Sequence, residues 1–90
     1  MATATKQLTV TNRNGIHARP AALFVKVAGK FTSHISVEKD GETINGKSIM
    51  GLMMLAAALG SKLTVTTEGA DAEAALKALE ELFHQKFNEE

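Results

Sequence analysis

The chain contains no cysteine, which excludes a disulfide scaffold, a thiolate metal centre and a cysteine nucleophile, and fits a reducing cytoplasm. Net charge is missing as well, because ten Lys and Arg balance ten Asp and Glu. Non-specific binding to nucleic acid or to an anionic membrane needs a net basic surface, so neither partner is expected. The longest uncharged apolar run, residues 49–59, falls well short of the roughly 20 residues that span a bilayer. The opening stretch Met1-Ala-Thr-Ala-Thr-Lys-Gln7 lacks the apolar centre of a signal peptide. Direct membrane insertion and export are therefore not expected, and the expected location is the cytoplasm. Paired carboxylates at useful spacing and glycine-rich nucleotide loops are missing too. His34 and His84 have no companions at ligand spacing, so neither a metal nor a cofactor is expected.

What remains is an ordinary globular chain. Ninety residues with 44% hydrophobic content suit one domain spanning residues 1–90. A chain of this length buries about 60–65% of its unfolded surface, enough for one modest core but not for a deep enclosed active site. The zero net charge also conceals an asymmetry. Residues 1–37 carry Lys6, Arg13, Arg19, Lys26 and Lys30 and no carboxylate, whereas residues 38–90 hold all ten acids and only five lysines.

Hydrophobic periodicity orders the elements. Lys6 to Val10 alternates as a half-buried strand, and Asn12-Arg13-Asn14-Gly15 reads as a loop. From Arg19 a helix places Ala21, Phe24, Val25 and Ala28 on one face, with Pro20 in its first turn and Gly29 at its end. His34 to Lys39 and Glu42 to Asn45 form a hairpin around Asp40-Gly41. Ser48 reads as the N-cap of a second helix extending toward Gly60. Lys62 to Thr67 is another strand. A last helix, capped by Asp71, follows the steps Ala72, Ala75, Leu76, Leu79, Phe83 and Phe87. The order β-α-β-β-α-β-α suits a two-layer α/β (α+β) sandwich, although pattern alone leaves the strand order open.

Three places carry potential chemistry. In Gly15-Ile-His-Ala-Arg-Pro20, His17 lies at the mouth of a helix, whose unpaired N–H groups and partial positive charge suit a dianionic phosphoryl group. The same field disfavours imidazolium, as a nucleophile requires. Arg19 adds a permanently charged fork for phosphate oxygens. On spacing alone, the plain start of a helix is the favoured reading of His17 and Arg19. Ser48, beside Lys47, is placed either to receive phosphate or simply to cap. The helix after it is apolar nearly all round. If Leu52, Leu55, Ala56 and Leu59 face the sheet, then Ile49, Met50 and Met53 remain outside as an adaptable docking patch, unless a loop or a second copy covers them.

Together these motifs resemble the HPr family, the small histidine-containing phosphocarriers of the bacterial phosphoenolpyruvate:sugar phosphotransferase system. Gly15-Ile-His-Ala-Arg-Pro20 is similar to that family's active-site signature, and Gly46-Lys-Ser-Ile-Met-Gly-Leu-Met-Met54 to its regulatory serine segment. The resemblance runs over essentially the whole chain. It implies an open-faced sandwich of four antiparallel strands, order 1-4-2-3, with three helices on one face. It further implies that His17 takes phosphate on Nδ1 from phosphorylated Enzyme I, which draws it from phosphoenolpyruvate, and passes it to enzyme IIA domains for sugar uptake. Arg19 would steady the group in transit, and Ser48 would be the target of an HPr kinase/phosphorylase. Ala18, Ala22, Lys26, Lys47, Ile49, Met50 and Met53 would meet the partners. Such a protein is a phosphoryl carrier with a covalent phosphohistidine intermediate rather than a stand-alone enzyme, and a monomer is expected.

Two alternatives lie within the family: a carrier of the nitrogen-related phosphotransferase branch, and a purely regulatory phosphoserine module, against which the presence of His17 counts. A third, outside it, is a ligand-binding ferredoxin-like domain, which needs an apolar pocket and no His-x-Arg arrangement.

Overall fold

Strict alternation of side chains builds the sheet. In the strand Lys62–Glu68, the side chains of Leu63, Val65 and Thr67 are buried while Lys62, Thr64, Thr66 and Glu68 face the other way, the period-2 pattern of a sheet covered on one face only. The computed structural model describes residues 2–89. Its elements are β1 (Thr3–Thr9), α1 (Ala18–Ala28), β2 (His34–Lys39), β3 (Glu42–Asn45), α2 (Ile49–Met54), β4 (Lys62–Glu68) and α3 (Ala72–His84), followed by a short 3-10 turn at Lys86–Asn88. All strand pairs are antiparallel and the order is β1-β4-β2-β3. Leu8 of β1 lies opposite Leu63, and Val65 lies opposite Val37 of β2, so the apolar residues of neighbouring strands stand side by side. Asp40 and Gly41 both take positive φ (53° and 87°), the tight hairpin geometry that matches strand twist.

Three helices cover the apolar face. α1 buries Pro20, Ala21, Phe24 and Ala28, and α3 buries Ala72, Ala75, Leu79, Leu82 and Phe83. Phe24 meets Phe83 edge to face at 6.4 Å between ring centres, and Phe83 meets Phe87 at 4.9 Å, separations at which aromatic pairs add to plain area burial. β1, the edge strand at one side, is tied to α3 by the ion pair of Lys6 with Glu80.

The structure corrects the sequence reading at four points. α2 stops at Met54 instead of running toward Gly60: the amides of Leu55 and Ala56 turn back to Leu52 and Met53, and Ala56 has φ of 51°. Leu52 and Leu55 are buried as expected, but Ala56 and Leu59 are exposed, and Ala57 takes the inward place instead. Phe87 is buried, yet not as part of a helix face. α3 ends at His84, and Lys86, Phe87 and Asn88 all adopt left-handed backbone (φ 53°, 54° and 61°), a reversal that swings Phe87 under the core. Val25 of α1 is only half-buried. Asp71 precedes α3 but does not cap it with its side chain. Its carboxylate instead accepts from the amides of Thr32 and Ser33 (2.9 and 3.0 Å) and from the Ser33 hydroxyl, because these donors, opposite the helix start, are otherwise left without partners by the loop into β2.

Two expectations follow. The Ser33 hydroxyl, reinforced by the Thr32 amide, lowers the Asp71 carboxyl from the ordinary 3.8 to about 2. A carboxylate favoured in the folded chain stabilises it above the ordinary value and loses that contribution as pH falls through the folded one. Asp71→Asn should therefore lower the Tm at pH 7, with the gap to the parent narrowing between pH 4 and pH 2; a gap that persists at acid pH contradicts this. Phe87→Ala should cost about 3–5 kcal/mol in urea unfolding, whereas a cost below about 1 kcal/mol would show the C-terminal turn to be loosely docked.

Candidate functional site

The loop between β1 and α1 is held from inside. Asn12 is fully buried, and its Nδ2 donates to the Gly15 carbonyl (2.7 Å) and to Glu89 Oε1 (3.0 Å). Gly15 has φ of 71°, and a Cβ there would lie 2.4 Å from the Ala57 carbonyl oxygen. Both constraints demand glycine. The next residue, Ile16, is buried and donates its N–H to Ala57 O at 2.8 Å. This bond joins the loop to the segment that trails α2.

His17 follows as the N-cap of α1, in extended backbone, and its carbonyl accepts the Ala21 N–H at 3.0 Å. Its own side chain makes no capping bond. The amides of Ala18 and Arg19 find no partner among the described residues, and Pro20 has none to offer. Two donors and the positive end of an eleven-residue helix therefore face outward at His17. The imidazole is 41% exposed, and Nε2 lies 3.0 Å from Glu89 Oε2 and 3.3 Å from Oε1. A carboxylate at that distance holds a proton on Nε2, and with the ring neutral this leaves the lone pair on Nδ1. No described residue bonds Nδ1.

The remaining expected residues fall into two surfaces. Ala18, Arg19, Ala22 and Lys26 are exposed along one side of α1. A groove of about 340 Å³ runs beside them between Arg19, Leu23, Lys26 and Phe87. Ile49, Met50 and Met53 are 43%, 74% and 44% exposed, as the amphipathic reading required. Met54 and Leu59, at 66% and 58%, enlarge that apolar patch beyond the expected set. Ser48 caps α2, its Oγ accepting the Gly51 N–H at 2.9 Å. Lys47 turns away from this cap, donating its ammonium to the Phe31 carbonyl at 2.8 Å. Among the described residues no three His, Asp or Glu side chains gather to hold a metal ion, and no helix is long and apolar enough to cross a membrane.

The sequence reading missed Glu89 and Asn12. Glu89 is 72 residues from His17, and nothing in its neighbourhood of Asn88-Glu89 marks it as other than a solvated tail. Asn12 reads as a turn residue, and only its burial reveals it as the brace of the loop.

Antiparallel strands ordered 1-4-2-3 beneath three helices, with a part-exposed imidazole at a helix start, define a small protein of the open-faced sandwich class. The PTS-HPr family profile, described as "PTS HPr component phosphorylation site", matches residues 4–85. The phosphocarrier protein HPr of Treponema pallidum is 52% identical over 85 residues, covering 94% of this chain and 97% of that protein. The HPr-like protein Crh of Halalkalibacterium halodurans is 55% identical over 74 residues, 82% of this chain and 88% of that one. The crystal structure of HPr-C-His from Thermoanaerobacter tengcongensis superposes with a TM-score of 0.90 at 49% identity, covering 100% of this chain and 99% of the other. The chain belongs to the PTS-HPr family, the phosphocarriers of the phosphotransferase system. Against the expected monomer, related structures include an HPr dimer from Thermoanaerobacter tengcongensis (TM-score 0.76, 50% identity, 91% of this chain and 97% of that one).

Because Glu89 is the partner that fixes the ring, Glu89→Ala should release the tautomer. Nitrogen-15 spectra of the unphosphorylated parent near neutral pH should show the Nε2–H form of His17, and the variant a mixture of both forms. Identical spectra would show that Glu89 does not orient the imidazole.

Proposed function

We propose that the phosphoryl group is carried on Nδ1 of His17, arriving from phosphorylated Enzyme I and leaving to an enzyme IIA domain. The observation that carries this reading is the division of labour on the ring: Nε2 is occupied by Glu89 at 3.0 Å while Nδ1 is open beside the free amides of α1. Nδ1 attacks phosphorus as the donor bond breaks, and the leaving atom departs with its electron pair. The Ala18 and Arg19 amides and the Arg19 guanidinium meet the charge that spreads over the phosphoryl oxygens. No proton has to move, since the one on Nε2 stays with Glu89.

An exposed site suits this task. A carrier must hold the group without trapping it, and a few charge-assisted contacts at a helix end bind less tightly than a closed pocket. Water is instead excluded by the partner, which covers the apolar patch of Ile49, Met50 and Met53 and the α1 face of Ala18, Ala22 and Lys26. Phosphate on Ser48, added by an HPr kinase/phosphorylase, places up to two negative charges beside that patch and slows acceptance from Enzyme I. Lys47 steadies the segment through the Phe31 carbonyl and meets partners with its stem. The pathway served is sugar uptake, and the working location is the cytoplasm.

Labelling with phosphoenolpyruvate and Enzyme I tests both sites. His17→Ala should abolish the acid-labile phosphate while leaving ATP-dependent labelling of Ser48 by the kinase, and Ser48→Asp should accept phosphate from Enzyme I about tenfold more slowly or worse, the effect of one misplaced negative charge at a docking surface. Acid-labile phosphate retained in His17→Ala moves the carrier site elsewhere, and an unaltered rate in Ser48→Asp removes the regulatory role.

A further inference from the structure

A second arginine faces the same space as Arg19. Arg13, Asn14, Arg19, Asn88 and Glu89 line a cavity of about 350 Å³. One wall of that cavity, Glu89, also bonds His17 Nε2, and another, Arg19, lies two residues beyond His17 in the first turn of α1. We propose that Arg13 is a second phosphoryl-binding residue, its guanidinium closing with that of Arg19 on the group as it moves onto His17. The proposal rests on His17 being the acceptor.

Charge is the first argument. Glu89 carries one negative charge on the cavity wall and Arg19 one positive charge, so those two alone leave the space neutral. A dianionic phosphoryl group entering a neutral space beside a carboxylate gains little from it. With Arg13 the described lining is net positive. Arg13 is thus the residue that makes the cavity attractive to phosphate while Glu89 keeps its place on Nε2.

Position is the second. Arg13 is an exposed residue of the braced loop, directly after buried Asn12 and two residues before Gly15, whose contact with Ala57 is fixed. Its backbone is therefore already ordered, and only side-chain freedom is lost on binding. Neither Arg13 nor Arg19 forms a salt bridge with a described residue. Each guanidinium presents two parallel N–H donors to two oxygens. As the bond from phosphorus to Nδ1 forms and the donor bond breaks, the three equatorial oxygens remain anionic and are shared between two forks, with the Asn14 and Asn88 amides at the margin. Such contacts favour the passing group over either end state, which is what accelerates transfer.

The test compares Arg13→Gln and Arg13→Lys, the second keeping the charge but not the fork. At saturating phosphorylated Enzyme I, Arg13→Gln should slow transfer about tenfold or more, below the roughly hundredfold cost of removing a fully preorganised donor because the Arg13 side chain is ordered only on binding, and Arg13→Lys should restore it only in part. In the isolated phosphorylated protein, with no partner present, phosphorus NMR should show the phosphoryl group titrating at higher pH in Arg13→Gln than in the parent, because a neighbouring cation has gone. An unchanged saturated rate together with an unchanged titration overturns the proposal. So does a deficit confined to low donor concentration that Arg13→Lys fully repairs and salt abolishes, which is long-range steering and not contact. Persistent acid-labile labelling of His17→Ala strikes the acceptor assignment instead and is told apart by that single control.

Discussion

The hydrogen bond from Ile16 to the Ala57 carbonyl, with Gly15 pressed against the same oxygen, is the contact on which the rest of the site depends. It sets the entry angle of α1, and hence where the free amides of Ala18 and Arg19 point. It also fixes the distance between the imidazole and the apolar helix, since Ala57 lies three residues beyond the last residue of α2. The early end of α2 is explained by the same contact. A helix carried on through Ser61, four residues past Ala57, would have spent that carbonyl on its own ladder, leaving Ile16 as a buried unpaired donor, a cost of roughly 1–3 kcal/mol. Stopping at Met54 frees the carbonyl and turns Leu59 outward, so one backbone bond both anchors the histidine loop and widens the apolar surface.

The C-terminal hook completes the site from the opposite end of the sequence. Three successive left-handed residues without a glycine are energetically unfavourable, and they are compensated by Phe87 in the core and by Glu89 on both Asn12 and His17. Burial and polar contact thus cooperate: the aromatic ring locates the turn, and the turn delivers the carboxylate. The resulting chemistry is asymmetric. Nε2 faces the Glu89 carboxylate, while Nδ1 has no bonded partner among the described residues and lies at the start of α1. The chain is electrically neutral overall, so this polarity is local, concentrated where another protein has to approach.

Much of this was legible in the residues because short-range rules govern it. Alternation located β2 and β4, the Asp40-Gly41 dipeptide located the hairpin, and Ser48 capped α2 as its chemistry suggests. The family resemblance supplied the strand order that periodicity alone left open. What escaped was non-local. Phe87 fits the three- and four-residue steps of α3 and is buried, but it reaches the core through a reversal that periodicity cannot foresee. Asp71 has the composition of a cap, yet the Ser33 and Thr32 donors across the loop offer more bonds than its own helix does. Ala56 and Leu59 look like a buried stripe until a tertiary bond ends the helix. Glu89 carries no signal at all, since its role exists only once both chain ends have been folded onto the same loop.

On the proposed function, Glu89 holds the proton on Nε2 and phosphorus bonds to Nδ1 of His17. Uniformly nitrogen-15-labelled protein, phosphorylated with phosphoenolpyruvate and Enzyme I, measures this directly through the scalar coupling between phosphorus and the ring nitrogens. The prediction is a one-bond coupling to Nδ1 with Nε2 still protonated. A one-bond coupling to Nε2 would contradict it, because the nitrogen now facing Glu89 would then be the one that reacts.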